Sequence, residues 1–228
     1  FKPFLEKVNS RALHQDHWNY FLSWDGRCKL NSNKSVIYAR WLQELTKKIY
    51  DESWRLKYPA LYDFRVHRVL NVLEDEKACQ SYGYDDCDHM VINAFDNTMQ
   101  QFNHDIENIP QWNKDHVVEF VHPVFSKIPV MGKYYRASSS LPGGRATINR
   151  AMWSTFQKDR SIMSIPSYRL IIDMGKPDFH FEYIQPLAEP EDPFGLYAFA
   201  FLPIWSKGRY LTLDQPTHRQ LKLLPSKY

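Results

Sequence analysis

The sequence predicts an α+β fold, with a mainly helical segment at residues 1–110 and a strand-rich segment at residues 111–228. Apolar residues recur at helical spacing in the first segment, whereas in the second they alternate or form short continuous runs. Of the 228 residues, 43% are hydrophobic, which is enough for a substantial core. Helices followed by strands, with no internal repeat, are typical of α+β proteins.

The first predicted helix spans residues 36–54 and follows a turn at residues 25–26. Ser32 and Ser35 offer hydroxyl groups that can cap its start. Four apolar side chains form one stripe along this helix: Ile37, Trp41, Leu45 and Ile49. The stripe is the side that we expect to face the core.

Two further amphipathic helices are predicted, at residues 60–75 and 89–106. The expected buried positions of the earlier helix are Leu61, Phe64, Val69 and either Val72 or Leu73. Those of the later helix are Met90, Ala94, Met99 and Phe102. Three amphipathic helices predict one helical layer that packs on another part of the protein.

Strands are predicted in the second segment. Residues 116–125 alternate in polarity, as a half-buried strand does. The Pro-Gly-Gly of residues 142–144 predicts a tight loop before a strand-like run. Residues 165–186 predict a strand, a turn and a second strand, and the nearly continuous apolar residues at 167–174 predict a strand that is covered on both faces.

Charge argues against a nucleic-acid partner, and hydropathy argues against a transmembrane segment. The formal net charge is +3, and the basic residues are spread among 26 acidic ones, so nucleic acid is not an expected partner. No apolar run approaches the roughly 20 residues that span a bilayer, so no transmembrane segment is predicted.

Two of the three cysteines, Cys79 and Cys87, are close enough in sequence to close a small loop. In an oxidising compartment they would form a disulfide and leave Cys28 free, whereas in a reducing one all three would be small apolar residues. Together with His89 the pair supplies too few ligands for zinc. The sequence therefore predicts no metal site.

No self-sufficient catalytic motif is present. His14 and His17, three residues apart with Asp16 between them, form the best candidate pair for metal or acid–base chemistry, but a solvated helix face without chemistry is the favoured interpretation. His116 and His122 lie six residues apart around a predicted strand, where packing explains both. The acidic stretch at residues 189–194 is predicted to be a solvated turn.

The order of several short motifs resembles the penicillin amidase (penicillin acylase) family of N-terminal-nucleophile hydrolases. In the second segment these motifs are a His-Pro pair, a Gly-Gly loop followed by Thr and Asn, a Ser-x-Arg strand that ends in Asp, and a Trp-x-x-Gly-x-Tyr tail. Their residues are His122 and Pro123; Gly143, Gly144, Thr147 and Asn149; Ser167, Arg169 and Asp173; and Trp205, Gly208 and Tyr210. The Trp-Asp-Gly turn at residues 24–26, before a helix with an inward Trp, is similar to the family's first half.

The resemblance implies a four-layer αββα sandwich assembled from subunits that are cut from one precursor by autoproteolysis. This chain would supply the C-terminal part of the β-subunit, and its core would be incomplete alone. We therefore expect companion segments of the same precursor, together forming a heterodimer. Phe1 then marks a processing site, a truncation or the edge of an ordered region.

The family's nucleophile is the first residue of the β-subunit, with its own α-amino group as base, because a weak hydroxyl nucleophile needs an adjacent base. That residue and the oxyanion Asn lie upstream of the matched region, so no catalytic residue is assigned in this chain. Asn149, Ser167 and Arg169 are expected to give hydrogen-bonding support. No cofactor is expected here, and a family-typical calcium ion would bind elsewhere.

The resemblance predicts hydrolysis of the amide of an N-acylated small molecule, such as a β-lactam side chain or an acyl-homoserine lactone, in a periplasmic or secreted protein. Two departures favour an alternative, a catalytically inactive member that serves as a structural or interaction subunit. The family's Gly-Gly-Asp-Gly loop is shortened to Gly-Gly-Arg, and residues 186–203 replace its Gly-Gln-Ser-Gly loop and His-Tyr pair.

Overall fold

The computed structural model describes residues 5, 6, 8, 12–50, 66–145, 147–153, 161–175, 180–188 and 199–213. Helices and strands are both present, so the fold is α+β as predicted. The chain divides into two compact units. Unit 1 comprises Phe1–Glu119 and Ser138–Ile165, and unit 2 comprises Phe120–Ala137 and Pro166–Tyr228. The predicted positions Leu61 and Phe64 and the acidic stretch 189–194 lie outside the described residues.

The helices of unit 1 follow one another closely along the chain. They are α1 (Gln15–Leu22), α2 (Lys34–Ile49), α3 (Val66–Leu73), α4 (Glu76–Ser81), α5 (Cys87–Gln100) and the short α6 (Trp112–Asp115). A 3-10 turn, Ile106–Asn108, precedes α6. Local capping fixes several helix starts: Asp75 accepts a hydrogen bond from Lys77 N and Asp86 accepts one from His89 N.

The predicted stripe of α2 is confirmed, since Ile37, Trp41, Leu45 and Ile49 are all buried. The Trp41 indole Nε1 donates to the carbonyl oxygen of Val91 on α5 at 3.2 Å. This bond satisfies the polar atom of a fully buried ring, so the indole packs between helices without an unmet donor. Of the two predicted capping hydroxyls, Ser32 accepts from Ser35 N at 3.2 Å, whereas Ser35 itself lies inside the helix, and the N-cap residue Asn33 makes no side-chain cap bond.

The core of unit 1 is rich in aromatic rings. Phe95 of α5 lies edge-on to Trp18 at 5.0 Å and stacks on Phe21 at 5.6 Å, and Phe21 is 6.0 Å from Trp41. Edge-to-face and offset pairs of this kind add to the stabilisation from burial alone. The abundance of aromatic residues therefore has a local explanation in this part of the chain.

Cys79 and Cys87 form a disulfide that joins α4 to the first residue of α5. The two sulfur atoms are consequently not zinc ligands. Cys28 is the free thiol of the described residues.

The third predicted helix ends earlier than expected. We predicted helix to residue 106, but α5 ends at Gln100. Asn103 and His104 adopt left-handed backbone conformations, with φ of 54° and 52°, which a right-handed helix excludes. Phe102 still packs against the core, although it lies beyond the helix.

The described residues form two small sheets. β1 (Val117–Val121) pairs with β2 (Arg136–Ser140), and the 3-10 turns Phe125–Lys127 and Met131–Tyr135 lie between them. In unit 2, β3 (Arg169–Asp173), β4 (His180–Ile184) and β5 (Leu211–Leu213) form an antiparallel sheet in that order. The short α7 (Leu202–Ser206) precedes β5.

The strand predicted after the Pro-Gly-Gly loop is absent from the described residues. Instead β2 precedes this loop, and beyond it Met152 makes an isolated bridge to Ser164. The reason is local: the Thr147 hydroxyl accepts from Gly144 N and donates its one proton to the carbonyl oxygen of either Asn149 or Gly144, which curls the chain where a strand would need to extend.

The strand predicted to be covered on both faces is instead exposed. Three successive side chains of β3, Leu170, Ile171 and Ile172, are between 42% and 48% exposed. β3 is an edge strand of its sheet, with β4 as its neighbour. Successive side chains point to opposite faces of a strand, so both faces of β3 lack a cover among the described residues.

None of the described helices is long and apolar enough to cross a membrane.

The disulfide gives a first test of the fold. Replacing both Cys79 and Cys87 by Ala should lower the free energy of unfolding by about 2.5 kcal/mol, because the cross-link restricts a short loop of the unfolded chain. Chemical denaturation monitored by tryptophan fluorescence measures this change. Reductant should bring the wild-type protein to the same stability, and a reductant-resistant difference would contradict the disulfide as its cause.

Candidate functional site

The Gly-Gly loop of unit 1 packs on Cys28, which follows the Trp-Asp-Gly turn. Gly143 N donates to the carbonyl oxygen of Cys28 at 2.8 Å, and the Trp112 indole Nε1 donates to the carbonyl oxygen of Gly143 at 3.2 Å. The loop is therefore joined to a residue just beyond the turn, although the two are far apart in sequence. We define the candidate site as this junction.

Glycine is required in the loop for steric reasons. Gly143 has φ of +89°, which side chains rarely adopt, and a Cβ at this position would overlap the carbonyl oxygen of Asn149. A Cβ on Gly144 would lie 3.3 Å from the Trp153 ring and 3.5 Å from the Cys28 sulfur. The two glycines thus let the loop backbone approach the scaffold closely.

Asn149 ties the loop to itself. Its Nδ2 donates to the carbonyl oxygen of Pro142 at 3.2 Å, and its own carbonyl oxygen accepts from the Thr147 hydroxyl at 2.9 Å. Gly144 N also donates to the Thr147 oxygen at 2.9 Å. These bonds hold the loop in a single curled shape.

An aromatic stack supports the loop from inside unit 1. The His116 ring stacks on Trp112 at 4.3 Å, and both rings meet Trp153 edge-on, at 5.3 Å and 5.4 Å. All three side chains are buried. The packing role expected for His116 agrees with this environment, whereas His122 lies on the surface in unit 2.

The Trp-Asp-Gly turn is closed by its own side chains. Asp25 accepts from Arg27 N at 3.0 Å and pairs with Lys29 at 2.7 Å, and Trp24 Nε1 donates to the carbonyl oxygen of Arg27 at 3.1 Å. The hydrogen bond from Lys29, followed by that from Arg27, lowers the pKa of Asp25. Asp25 is therefore a charged turn residue and not a proton donor at neutral pH.

The nucleophilic group at the junction is held in its unreactive form. Burial raises the pKa of Cys28 to about 11, partly offset by a hydrogen bond from Ser35. Burial also raises the pKa of Tyr38 to about 12. A neutral thiol is a weak nucleophile, so the junction is built for packing.

Arg169 and Ser167 lie in unit 2, apart in sequence and unit from Asn149. The Arg169 guanidinium lies 4.7 Å above the Trp205 ring and donates to the Trp205 carbonyl oxygen at 2.9 Å. Burial is the main cause that lowers the pKa of Arg169, and Tyr210 opposes it. Ser167 is exposed. Their supporting roles remain predictions.

The pair His14 and His17 gains a neighbour that sequence spacing did not indicate. Their rings are 4.9 Å apart, and His104 lies 5.1 Å from His14 because the left-handed turn at residues 103–104 brings it back. His14 precedes α1 and is not part of it. In the described part of the chain, no three His, Cys, Asp or Glu side chains are placed to hold a metal ion.

Sequence reasoning missed the parts of the junction that carry no motif. Cys28, Trp112 and Trp153 contact the Gly-Gly loop, yet they are scattered through the sequence. The sequence feature that could have indicated them is the presence of a Trp residue on each side of that loop, at positions 112 and 153.

Comparison with known proteins identifies the family of the chain. The sequence profile described as penicillin amidase matches residues 1–219. The chain belongs to the penicillin amidase family. No curated protein sequence matches it at a significant level.

Membership confirms the family predicted from the motif order. For a penicillin amidase the indicated reaction class is amide hydrolysis. The junction contains one of the motifs on which the resemblance was based, the Gly-Gly loop, bonded to the residue Cys28 that lies just after another, the Trp-Asp-Gly turn.

The loop geometry predicts a difference between two glycine substitutions. Gly83 also has positive φ, but a Cβ there would meet open space. Gly83→Ala should cost about 1 kcal/mol from backbone strain alone, and Gly143→Ala about 3 kcal/mol because the loop must also move. Equilibrium denaturation of both variants measures the difference, and equal costs would contradict the close approach.

The Cys28 environment predicts slow thiol chemistry. Since burial disfavours the thiolate and raises the pKa from 9.0 to about 11, its thiolate fraction at pH 8 should be about a hundredfold lower than that of an ordinary thiol. The rate of reaction with Ellman's reagent should rise with pH until about pH 11. In denaturant the thiol should react at the ordinary rate, and fast native labelling at pH 8 would refute the assignment.

Proposed function

We propose that this chain is the C-terminal segment of the β-subunit of an amidohydrolase. The assembled enzyme hydrolyses the amide bond of an N-acylated small molecule, of the β-lactam side-chain or acyl-homoserine lactone type. The observation that carries the proposal is the family match over residues 1–219. The nucleophile and its oxyanion hole belong to another segment.

The chemistry assigns this chain a supporting role. A hydroxyl or thiol at the first residue of a companion segment attacks the acyl carbon, while its α-amino group, with a pKa near about 8, accepts the proton. The amine leaves with that proton, and water then hydrolyses the acyl-enzyme. In this chain the Cys28 thiol has its pKa raised to about 11, so it does not compete as nucleophile.

The exposed strand β3 supports a shared sheet. Leu170, Ile171 and Ile172 would each expose apolar area if β3 stayed at an edge, and a long apolar edge strand invites pairing. A companion segment that adds strands and a helical layer would complete the four-layer αββα sandwich. Disulfides form and persist in oxidising compartments, so the bond between Cys79 and Cys87 supports a periplasmic or secreted location.

An inactive member that serves as a structural or interaction subunit is the second candidate. It is favoured by the Gly-Gly-Arg loop, whose main-chain bonds are used in packing onto Cys28 and Trp112. Both candidates require the same scaffold, so the companion chain decides between them.

The experiment is intact mass spectrometry of the native protein under denaturing conditions, with N-terminal sequencing of every chain that co-purifies. The enzyme requires a companion that begins with Ser, Thr or Cys and releases amine from N-acyl substrates. Replacing that first residue by Ala should abolish hydrolysis, whereas Cys28→Ala should retain it. A complete set of companions without such a terminus would leave the structural subunit as the function.

A further inference from the structure

A long stretch of this chain carries only one sign of charge. Residues 120–158 contain no Asp or Glu. The stretch contains these basic residues: Lys127, Lys133, Arg136, Arg145, Arg150 and Lys158. Elsewhere acidic and basic residues are interspersed, so this run is a local departure from the balanced charge of the whole sequence.

Within this run, residues 121–136 connect β1 to β2 and present apolar side chains to solvent. We call them the basic loop. Its exposed large apolar residues are Val121, Val124, Phe125, Ile128, Val130 and Tyr134. Lys127, Lys133 and Arg136 are exposed among them. The Lys133 ammonium lies 4.9 Å from the centre of the Tyr134 ring, so a cation and an aromatic ring are adjacent on this surface.

The basic loop is a built structure. The His122 Nδ1 accepts hydrogen bonds from Val124 N at 3.2 Å and Phe125 N at 3.1 Å. The rings of His122, Phe125 and Tyr135 pack together with centroids 4.5–5.5 Å apart. Gly132 N donates to the carbonyl oxygen of Ile128 at 2.8 Å. The exposed apolar side chains therefore project from a fixed backbone.

Val130 shows that the outward projection has a conformational cost. Its φ is +67°, a region that β-branched residues rarely enter, and its side chain is 79% exposed. Glycine adopts this conformation without a steric penalty, whereas a β-branched side chain does not. Folding alone thus gives no reason for valine here, which points to a contact outside the described residues.

The composition separates this surface from the face of β3. The three exposed residues Leu170, Ile171 and Ile172 follow one another in β3 with no charged residue among them, as expected for a strand covered by polypeptide. In the basic loop, cover by protein would remove Lys127 and Lys133 from water without a carboxylate in the loop to pair with them. At a lipid headgroup layer the same ammonium groups stay solvated beside phosphates while the apolar side chains enter the acyl boundary.

We propose that the basic loop, residues 121–136, binds the surface of an anionic phospholipid bilayer, with Val130 at the inserted apex. This is a peripheral contact that goes beyond amide hydrolysis and does not depend on it.

The test is co-sedimentation of the protein, with any chains that accompany it, with two kinds of vesicle. One is phosphatidylcholine alone and the other contains about 30 mol% phosphatidylglycerol. We expect at least about tenfold stronger partitioning to the anionic vesicles, reversed by about 0.5 M NaCl. Neither assay involves hydrolysis, so its result is independent of the proposed enzyme.

Matched variants locate the contact. Val130→Asp should reduce partitioning at least about tenfold, and because the Val130 side chain is 79% exposed the substitution removes no buried packing. Ile148→Asp makes the same charge change at a fully exposed aliphatic residue in the acid-free stretch but outside the basic loop, and it should change partitioning less than about threefold. A double variant, Lys127→Gln with Lys133→Gln, repeats the test without altering Val130.

Three results would overturn the proposal. The first is equal partitioning to neutral and anionic vesicles, and the second is an equal effect of Val130→Asp and Ile148→Asp. The third is protection of Lys127 and Lys133 from amine acetylation in the lipid-free protein, which would mean that a polypeptide already covers the basic loop.

Discussion

The close approach of Gly143 to the carbonyl oxygen of Asn149, in a backbone conformation that side chains rarely adopt, is the constraint on which the candidate site depends. One hydrogen bond to Cys28 and one from Trp112 then join the loop to the rest of unit 1. The Trp112, His116 and Trp153 stack then has a fixed surface to pack on. Because protein interiors are close-packed, a shift of this loop would be felt by every ring beneath it.

The protonation states at the junction follow from its burial away from solvent. Burial raises the pKa values of the Cys28 thiol and the Tyr38 hydroxyl and so keeps both groups protonated. These side chains therefore contribute to packing and are not nucleophiles at neutral pH. A penicillin amidase needs a nucleophile beside its own base, and these side chains have neither the charge state nor the exposure for that task.

Unit 2 presents two apolar surfaces that differ in charge. Three successive exposed residues of β3 are aliphatic, whereas the basic loop mixes lysines with aliphatic and aromatic side chains. The free energy of burying an ammonium group depends strongly on whether an anion accompanies it. Two surfaces of similar hydrophobicity are therefore suited to different partners, one to polypeptide and one to anionic headgroups.

The sequence by itself determined the α+β class, the buried stripe of α2 and the family, because helical periodicity and motif order are local properties. It did not determine where α5 ends, since the left-handed Asn103 and His104 are not required by any pattern. It misplaced the strand near the Pro-Gly-Gly loop, where the Thr147 hydroxyl competes with strand hydrogen bonds. Only the tertiary structure joined Cys28, Trp112 and Trp153 to that loop and showed β3 at an edge, because burial and strand order depend on contacts between residues that are distant in sequence.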